Sequence, residues 1–280
     1  RRVLFRSMNK PRHPLDKPSR SARVSPTGSA LGPGYSAANS NTRIHGPRPF
    51  TLPSSPARTS EAPAANLGLN SDRLRLQMVQ RLREQGIVDE RVLSAMQAVP
   101  RHLFVDQGLA SRAYEDAALP IGYGQTISQP WVVAHMLSVM CEGRTPGKVL
   151  EIGAGCGYQA AVLAQFVPEV HAIERVRGLY EQARLNLAQG RSRGRVRLTF
   201  GDGMQGLERR APFDGIVVAA AGVKIPEALL HQLAVGARLI APEGSAHQRL
   251  ILIERTGPSS WHRRELEDVR FVPLRPGTQT

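Results

Sequence analysis

The sequence predicts an α/β fold, a doubly wound and mainly parallel sheet, from three observations. Short apolar runs alternate with amphipathic helical stretches from about residue 147 onward, the pattern of a parallel sheet covered on both faces. One stretch, Val149-Leu150-Glu151-Ile152-Gly153-Ala154-Gly155-Cys156-Gly157-Tyr158, reads as strand, glycine turn and helix start, the opening of a nucleotide-binding unit. Acids then stand at the tips of successive strands, where open α/β sheets bind ligands.

Residues 1–68 are expected to form a disordered, basic tail rich in Pro, Ser and Ala, and 69–280 the folded domain. Ten of the 21 prolines precede residue 70, and such a segment buries too little apolar surface to offset the entropy of ordering it. Residues 1–7 are set aside, because Met8 lies nearer a natural start. Order is expected from Ser71, with Leu74, Leu76, Val79, Leu82 and Ile87 at helical spacing and Gly86 as the stop. Asp89 is placed as the N-cap of a second helix through Val92, Leu93 and Met96, ending before Pro100. Residues 101–125 show little periodicity, and a long irregular segment in a compact domain is usually functional. A helix over 131–140 follows, with Val132, Val133, Met136, Leu137 and Met140 as its apolar face.

Within the α/β part, strands are expected at 147–152, 170–173, 196–200, 213–219, 237–242 and 249–254, with a last one near Val269–Leu274. Helices are expected at 158–166, about 177–189 (Leu179, Ala183 and Leu187 inward) and 226–233. The final strands follow one another without an intervening helix, which predicts an antiparallel edge.

Charge and cysteine usage narrow the functional classes. The formal net charge is +14, but residues 1–70 carry 11 Lys and Arg against 2 Asp and Glu, whereas the rest carry 26 against 21. The basic character therefore belongs to the tail and is no nucleic-acid footprint on the domain. Arg191, Arg193, Arg195 and Arg197 read as a solvated face. Cys141 and Cys156 are too few for a disulfide framework, which fits a reduced, cytoplasmic setting. No apolar run reaches the roughly 20 residues of a membrane span. The eight histidines show no ligand pair at i,i+4, so no metal site is expected.

The acids discriminate between nucleotide ligands. Glu174 stands 21 residues after Gly153, where a carboxylate accepts hydrogen bonds from two ribose hydroxyls. Glu151, just before the first glycines, would repel a pyrophosphate and suits a ligand bearing an ammonium group. Asp202, at the end of the third strand, is placed to bond an adenine amino group. Together they favour adenosine plus an amino acid over a dinucleotide. The alternatives are a Glu174 ion-paired with Arg175 or Arg177, and an Asp202 that only shapes a turn.

Gly124-Gln125-Thr126-Ile127-Ser128-Gln129-Pro130 resembles the signature of protein-L-isoaspartate O-methyltransferases. Val149–Tyr158, Gly201-Asp202-Gly203, Phe213–Val218 and Arg270-Phe271-Val272-Pro273-Leu274 match the same family in order, so the resemblance spans roughly residues 71–275. It implies a seven-stranded, Rossmann-like methyltransferase fold using S-adenosylmethionine and leaving S-adenosylhomocysteine. The implied reaction methylates the α-carboxylate of L-isoaspartyl residues in damaged proteins, after which the ester collapses to a succinimide without the enzyme. Ser128 is the implied catalytic residue. Implied cofactor contacts are Gln125 (through its backbone), Thr126, Ile127, Ser128, Glu151, Gly153, Gly155, Gly157, Glu174, Arg175, Gly201 and Asp202. Implied substrate contacts are Thr126, Ser128, Val272, Pro273 and Leu274. Damaged proteins and peptides are the expected partners, with neither nucleic acid nor membrane, and the enzyme is expected to be a monomer.

Competing readings remain at this stage. Ser128 can instead cap the helix that follows it. A methyltransferase acting on a small carboxylic acid, a catalytically silent binding module driven by its tail, and an NAD dehydrogenase are the alternatives. Ala219-Ala220-Ala221-Gly222 stands where nucleic-acid amino-methyltransferases carry an Asn/Asp-Pro-Pro-aromatic motif, which argues against a base as acceptor.

Overall fold

The computed structural model describes residues 65–189 and 194–280. The expected tail over 1–64, together with Arg191 and Arg193, lies outside the described residues.

Helix α1 (Ala65–Glu84) opens before Ser71, where order was expected. Ala65, Leu67 and Leu69 are good helix formers, and extending an existing helix costs little once it is nucleated. Its inward face is Ser71, Met78, Val79 and Leu82, while Leu74 and Leu76 are exposed, contrary to the spacing argument. Helix α2 (Glu90–Ala98) starts as expected: the Asp89 carboxylate accepts from the N–H groups of Arg91 and Val92. Residues 101–125 are more regular than the sequence indicates. They hold two 3₁₀ turns, Arg101–Phe104 and Gln107–Arg112, and the start of an antiparallel hairpin of β1 (Leu119–Gly122) and β2 (Gln125–Ile127). Helix α3 (Pro130–Cys141) buries the whole expected apolar face.

The main sheet contains β3 (Lys148–Ile152), β4 (Glu169–Glu174), β5 (Val196–Phe200), β6 (Phe213–Val218), β7 (Leu233–Gly244), β8 (Gln248–Gly257) and β9 (Ser260–Val269). Their spatial order is β5-β4-β3-β6-β7-β8-β9. The first five are parallel, and β7-β8 and β8-β9 are antiparallel, as the missing helices predicted. Between strands lie α4 (Tyr158–Leu163), α5 (Arg177–Gln189) and the short α6 (Glu227–His231). Alternate strand residues feed two cores on opposite sheet faces, with Val149, Val217 and Ile240 in one and Leu150, Ile216, Val218 and Leu239 in the other.

The last strand is displaced from its expected position. It spans Ser260–Val269, and 270–274 runs on as irregular chain past the strand ends. β9 is a sheet edge, so its outward residues are charged and hide the apolar alternation on which the expectation relied. The fold class itself stands: a mainly parallel seven-stranded sheet with helices on both sides.

Candidate active site

The glycine turn joins β3 to α4 and is fixed from behind, since the N–H groups of Gly153 and Ala154 both donate to the Ile173 carbonyl at 2.9 and 3.0 Å. Gly153, Gly155 and Gly157 have φ of 85°, 56° and 88°, a left-handed conformation that a residue with a Cβ rarely adopts. Gly153 and Gly155 face a cleft of about 300 Å³, whose walls also include Gln125, Thr126, Glu174, Arg175, Val272, Pro273 and Leu274. Ile127, Glu151, Gly157, Gly201 and Asp202 do not line it. Ile127 points into the core. Gly157 gives room to α5, because a Cβ there would press on Leu187.

Glu174 closes one end of this arrangement. Its two oxygens accept from the N–H groups of Val176 and Gly155, each at 2.8 Å. It is not ion-paired: Arg175 reaches instead to the Gly277 carbonyl and the Gln279 side chain, and Arg177 to Glu181. One lone pair on each Glu174 oxygen is left for a ligand. Burial pushes its carboxyl upward, against the pull of those backbone donors. Glu151 is buried completely; Oε1 accepts from Gln159 Nε2 at 3.1 Å, and Oε2 has no hydrogen-bond partner. Burial raises its pKa well above the carboxylate range. An orphaned buried carboxylate oxygen is costly and is the feature a ligand ammonium would satisfy. Asp202 follows its alternative reading locally: it caps the 3₁₀ turn Gly203–Gln205 through Met204 N–H and accepts from Gly277 N–H, both at 2.9 Å. The acceptor oxygens of Glu174 and the unpartnered Glu151 Oε2 are of the kind that the hydroxyl and ammonium groups of S-adenosylmethionine require, so the residues present fit that cofactor.

A second cavity of about 330 Å³ adjoins the first and contains Ser128, with Trp131, Asp268, Arg270 and Phe271. Thr126, Ala219 and Val272 line both cavities. Ser128 does not cap α3. The N-cap is Gln129 with no side-chain hydrogen bond, Pro130 occupies the first turn, and the carboxylate of Asp116 takes the Trp131 N–H. The hydroxyl of Ser128 thus has no bond within the described residues and stands partly exposed in the cavity.

Several cleft residues escaped sequence reasoning. Tyr123 adopts a φ of 54° between two glycines and lays its ring against Gly178 at the cleft mouth. Its signal was there in Gly122-Tyr123-Gly124, an aromatic residue set in a turn. Gln279 and Gly277 arrive from the C-terminal segment, where Gln279 bridges to Val176, a contact that leaves no periodic mark in the sequence.

Comparison with known proteins supplies the remaining observation. The profile of the family described as Protein-L-isoaspartate(D-aspartate) O-methyltransferase matches residues 73–279. The chain belongs to that family. It is 69% identical over 255 residues to the protein-L-isoaspartate O-methyltransferase of Bordetella parapertussis, covering 91% of this chain and 97% of the relative. A Burkholderia ambifaria protein of the same description is 52% identical over 270 residues, covering 94% and 86%. Among solved structures, a protein-L-isoaspartate O-methyltransferase aligns with a TM-score of 0.67 and 28% identity, over 73% of this chain and 67% of the other. A Plasmodium falciparum structure, described as a beta-aspartate methyltransferase in complex with S-adenosyl-L-homocysteine, aligns with a TM-score of 0.65 and 26% identity, over 72% and 98%. As a protein-L-isoaspartate O-methyltransferase, the chain transfers a methyl group from S-adenosylmethionine to the α-carboxylate of isoaspartyl residues and so repairs damaged proteins.

Proposed function

We propose that the glycine-turn cleft holds S-adenosylmethionine and that the Ser128 cavity holds the isoaspartyl carboxylate. The observation that carries this assignment is that Thr126, Ala219 and Val272 border both cavities, which brings the two spaces together. When bound, S-adenosylmethionine supplies a methyl group made electrophilic by its sulfonium charge.

The protein's part is to bind, orient and exclude water. Glu174 accepts the ribose hydroxyls with its free lone pairs, and Glu151 Oε2 accepts the ammonium group. Gly153 and Gly155 allow close approach, while Gln125 and Thr126 form the near wall with Arg175 outside them. Gly201 and Asp202 lie behind the cleft wall at Gly203, and Asp202 shapes the base end by capping the turn there. A carboxylate is a nucleophile at neutral pH, so no general base is needed. Ser128 donates its hydroxyl proton to one substrate oxygen and leaves the other to react, and Val272, Pro273 and Leu274 form the wall against which the peptide lies. The two cysteines, both buried and unpaired, fit a reducing cytoplasm, and we assign the enzyme there as a monomer. No helix among the described residues is long and apolar enough to cross a membrane.

The test is methyl transfer from labelled S-adenosylmethionine to an isoaspartyl peptide and to its aspartyl twin, with the native chain and with Ser128→Ala. Base-labile label on the isoaspartyl peptide alone, reduced in Ser128→Ala while cofactor affinity holds, supports the assignment. Full turnover in Ser128→Ala removes Ser128 from it.

A further inference from the structure

Arg101 begins the 3₁₀ turn after α2 and is completely buried, the one arginine so placed among the described residues. Among the described residues no carboxylate is in ion-pair contact with it, and Asp116 acts on it only through space. Its Nε donates to the Ala113 carbonyl at 2.8 Å and its Nη2 to the Ser128 carbonyl at 2.7 Å. The guanidinium carbon stands 4.9 Å from the ring centroid of Tyr158, the first residue after the glycine turn. Nη1 and the Tyr158 hydroxyl are both buried without a hydrogen-bond partner.

Such a group is an expensive way to fill space. A buried cation with no counter-ion in contact costs several kcal/mol, and an apolar side chain of similar volume is often as good or better for stability. What the guanidinium does, and an apolar chain cannot, is hold two backbone carbonyls in one plane while resting on an aromatic face. One of those carbonyls belongs to Ser128. The other face of the contact, Tyr158, is anchored to the turn that lines the cofactor cleft.

We propose that Arg101 is a positioning residue for methyl transfer: by fixing the Ser128 carbonyl against Tyr158, it sets the Ser128 hydroxyl in register with the glycine turn. The proposal rests on the role assigned to Ser128 above. Arg101 touches neither ligand and acts through the backbone of Ser128.

A double-mutant cycle on the full chain tests this, using native protein, Ser128→Ala, Arg101→Met and the double variant. kcat and KM are measured with an isoaspartyl peptide, S-adenosylhomocysteine affinity by calorimetry, and thermal unfolding alongside. Arg101→Met is expected to lower kcat by on the order of tenfold to a hundredfold, the scale of a misplaced reacting group, with S-adenosylhomocysteine affinity retained. In the Ser128→Ala background the same substitution should have little further effect, because the group it positions is gone. Arg101→Lys, which keeps the charge but cannot span both carbonyls, should fall between, and it carries the same cycle if Arg101→Met fails to fold. Equal loss of kcat in both backgrounds, or loss of S-adenosylhomocysteine affinity in step with kcat, would overturn the positioning role and leave Ser128 untouched. Native kcat in Ser128→Ala would instead remove the assignment on which this one stands.

Discussion

Asp116 Oδ1 accepts the backbone N–H of Trp131 at 2.9 Å, and this bond separates two readings of Ser128. A helix start needs an acceptor for its first N–H groups, and here an aspartate 15 residues upstream provides it. The serine is therefore released from capping. Ser128→Ala is expected to leave the melting temperature near that of the native protein while turnover falls. Asp116→Ala should do the reverse first, costing about 1 kcal/mol of stability as a lost cap. Denaturant titration of both variants checks the pair; a Ser128→Ala loss as large as that of Asp116→Ala would return the serine to a structural role.

Glu174 holds the glycine turn and α5 together through two backbone donors, so its removal has two consequences. Glu174→Ala should weaken S-adenosylhomocysteine binding by roughly 1–3 kcal/mol and lower stability on a similar scale, since buried donors lose their acceptor. Calorimetry and thermal unfolding measure the two effects separately. Unchanged affinity in a folded variant would take Glu174 out of the ribose site.

Burial is the first cause of the raised pKa at both Glu151 and Glu174. The folded protein then holds these protons more tightly than the unfolded chain. The resulting stabilisation is fully present below the unfolded carboxylate pKa, about 4.3, and is lost as pH rises through the raised folded values. The ligand-free enzyme should lose stability over that rise, and Glu151→Gln, which mimics the neutral form, should flatten its share. A bound ammonium favours the charged carboxylate, so S-adenosylmethionine binding should release protons. Calorimetry in two buffers of different ionisation enthalpy reads that release, and none at any pH would separate Glu151 from the amine.

Burial also raises the Cys141 thiol to about 12 and that of Cys156 to about 11. Thiolate is the reactive species, so neither cysteine should be alkylated in the native protein at pH 8, and both should react on unfolding. Mass spectrometry after brief alkylation tells the two states apart; rapid native labelling of Cys156 would show the glycine turn to be open.

The sequence was most legible where the chain is most buried. β3, β4 and β6 are covered on both faces, so their sequences are mainly apolar with few interruptions. β9 escaped because its exposed edge demands charge, and the β1–β2 hairpin because strands of four and three residues are too short for a period to show. Of the three acids expected near strand ends, Glu174 lines the cleft, whereas Glu151 and Asp202 lie outside its lining. That Asp202 is engaged by Gly277 could not be read from the sequence, since a bond across 75 residues leaves no local trace. The same holds for Arg101, whose partners at Ala113 and Ser128 flank the hairpin and meet only in the folded chain.

Thr126, Ala219 and Val272 border both cavities, so the two spaces meet along a single set of residues. On the proposed assignment the carboxylate oxygen meets the methyl carbon directly where the two spaces join, and the sulfonium sulfur leaves as the thioether while the rest of each molecule stays on its own side. The acceptor needs to present only one side chain and a short length of backbone, and the bulk behind it stays outside. On that assignment molecular size is no criterion of admission, and a tripeptide and a large, partly unravelled protein would use the same doorway.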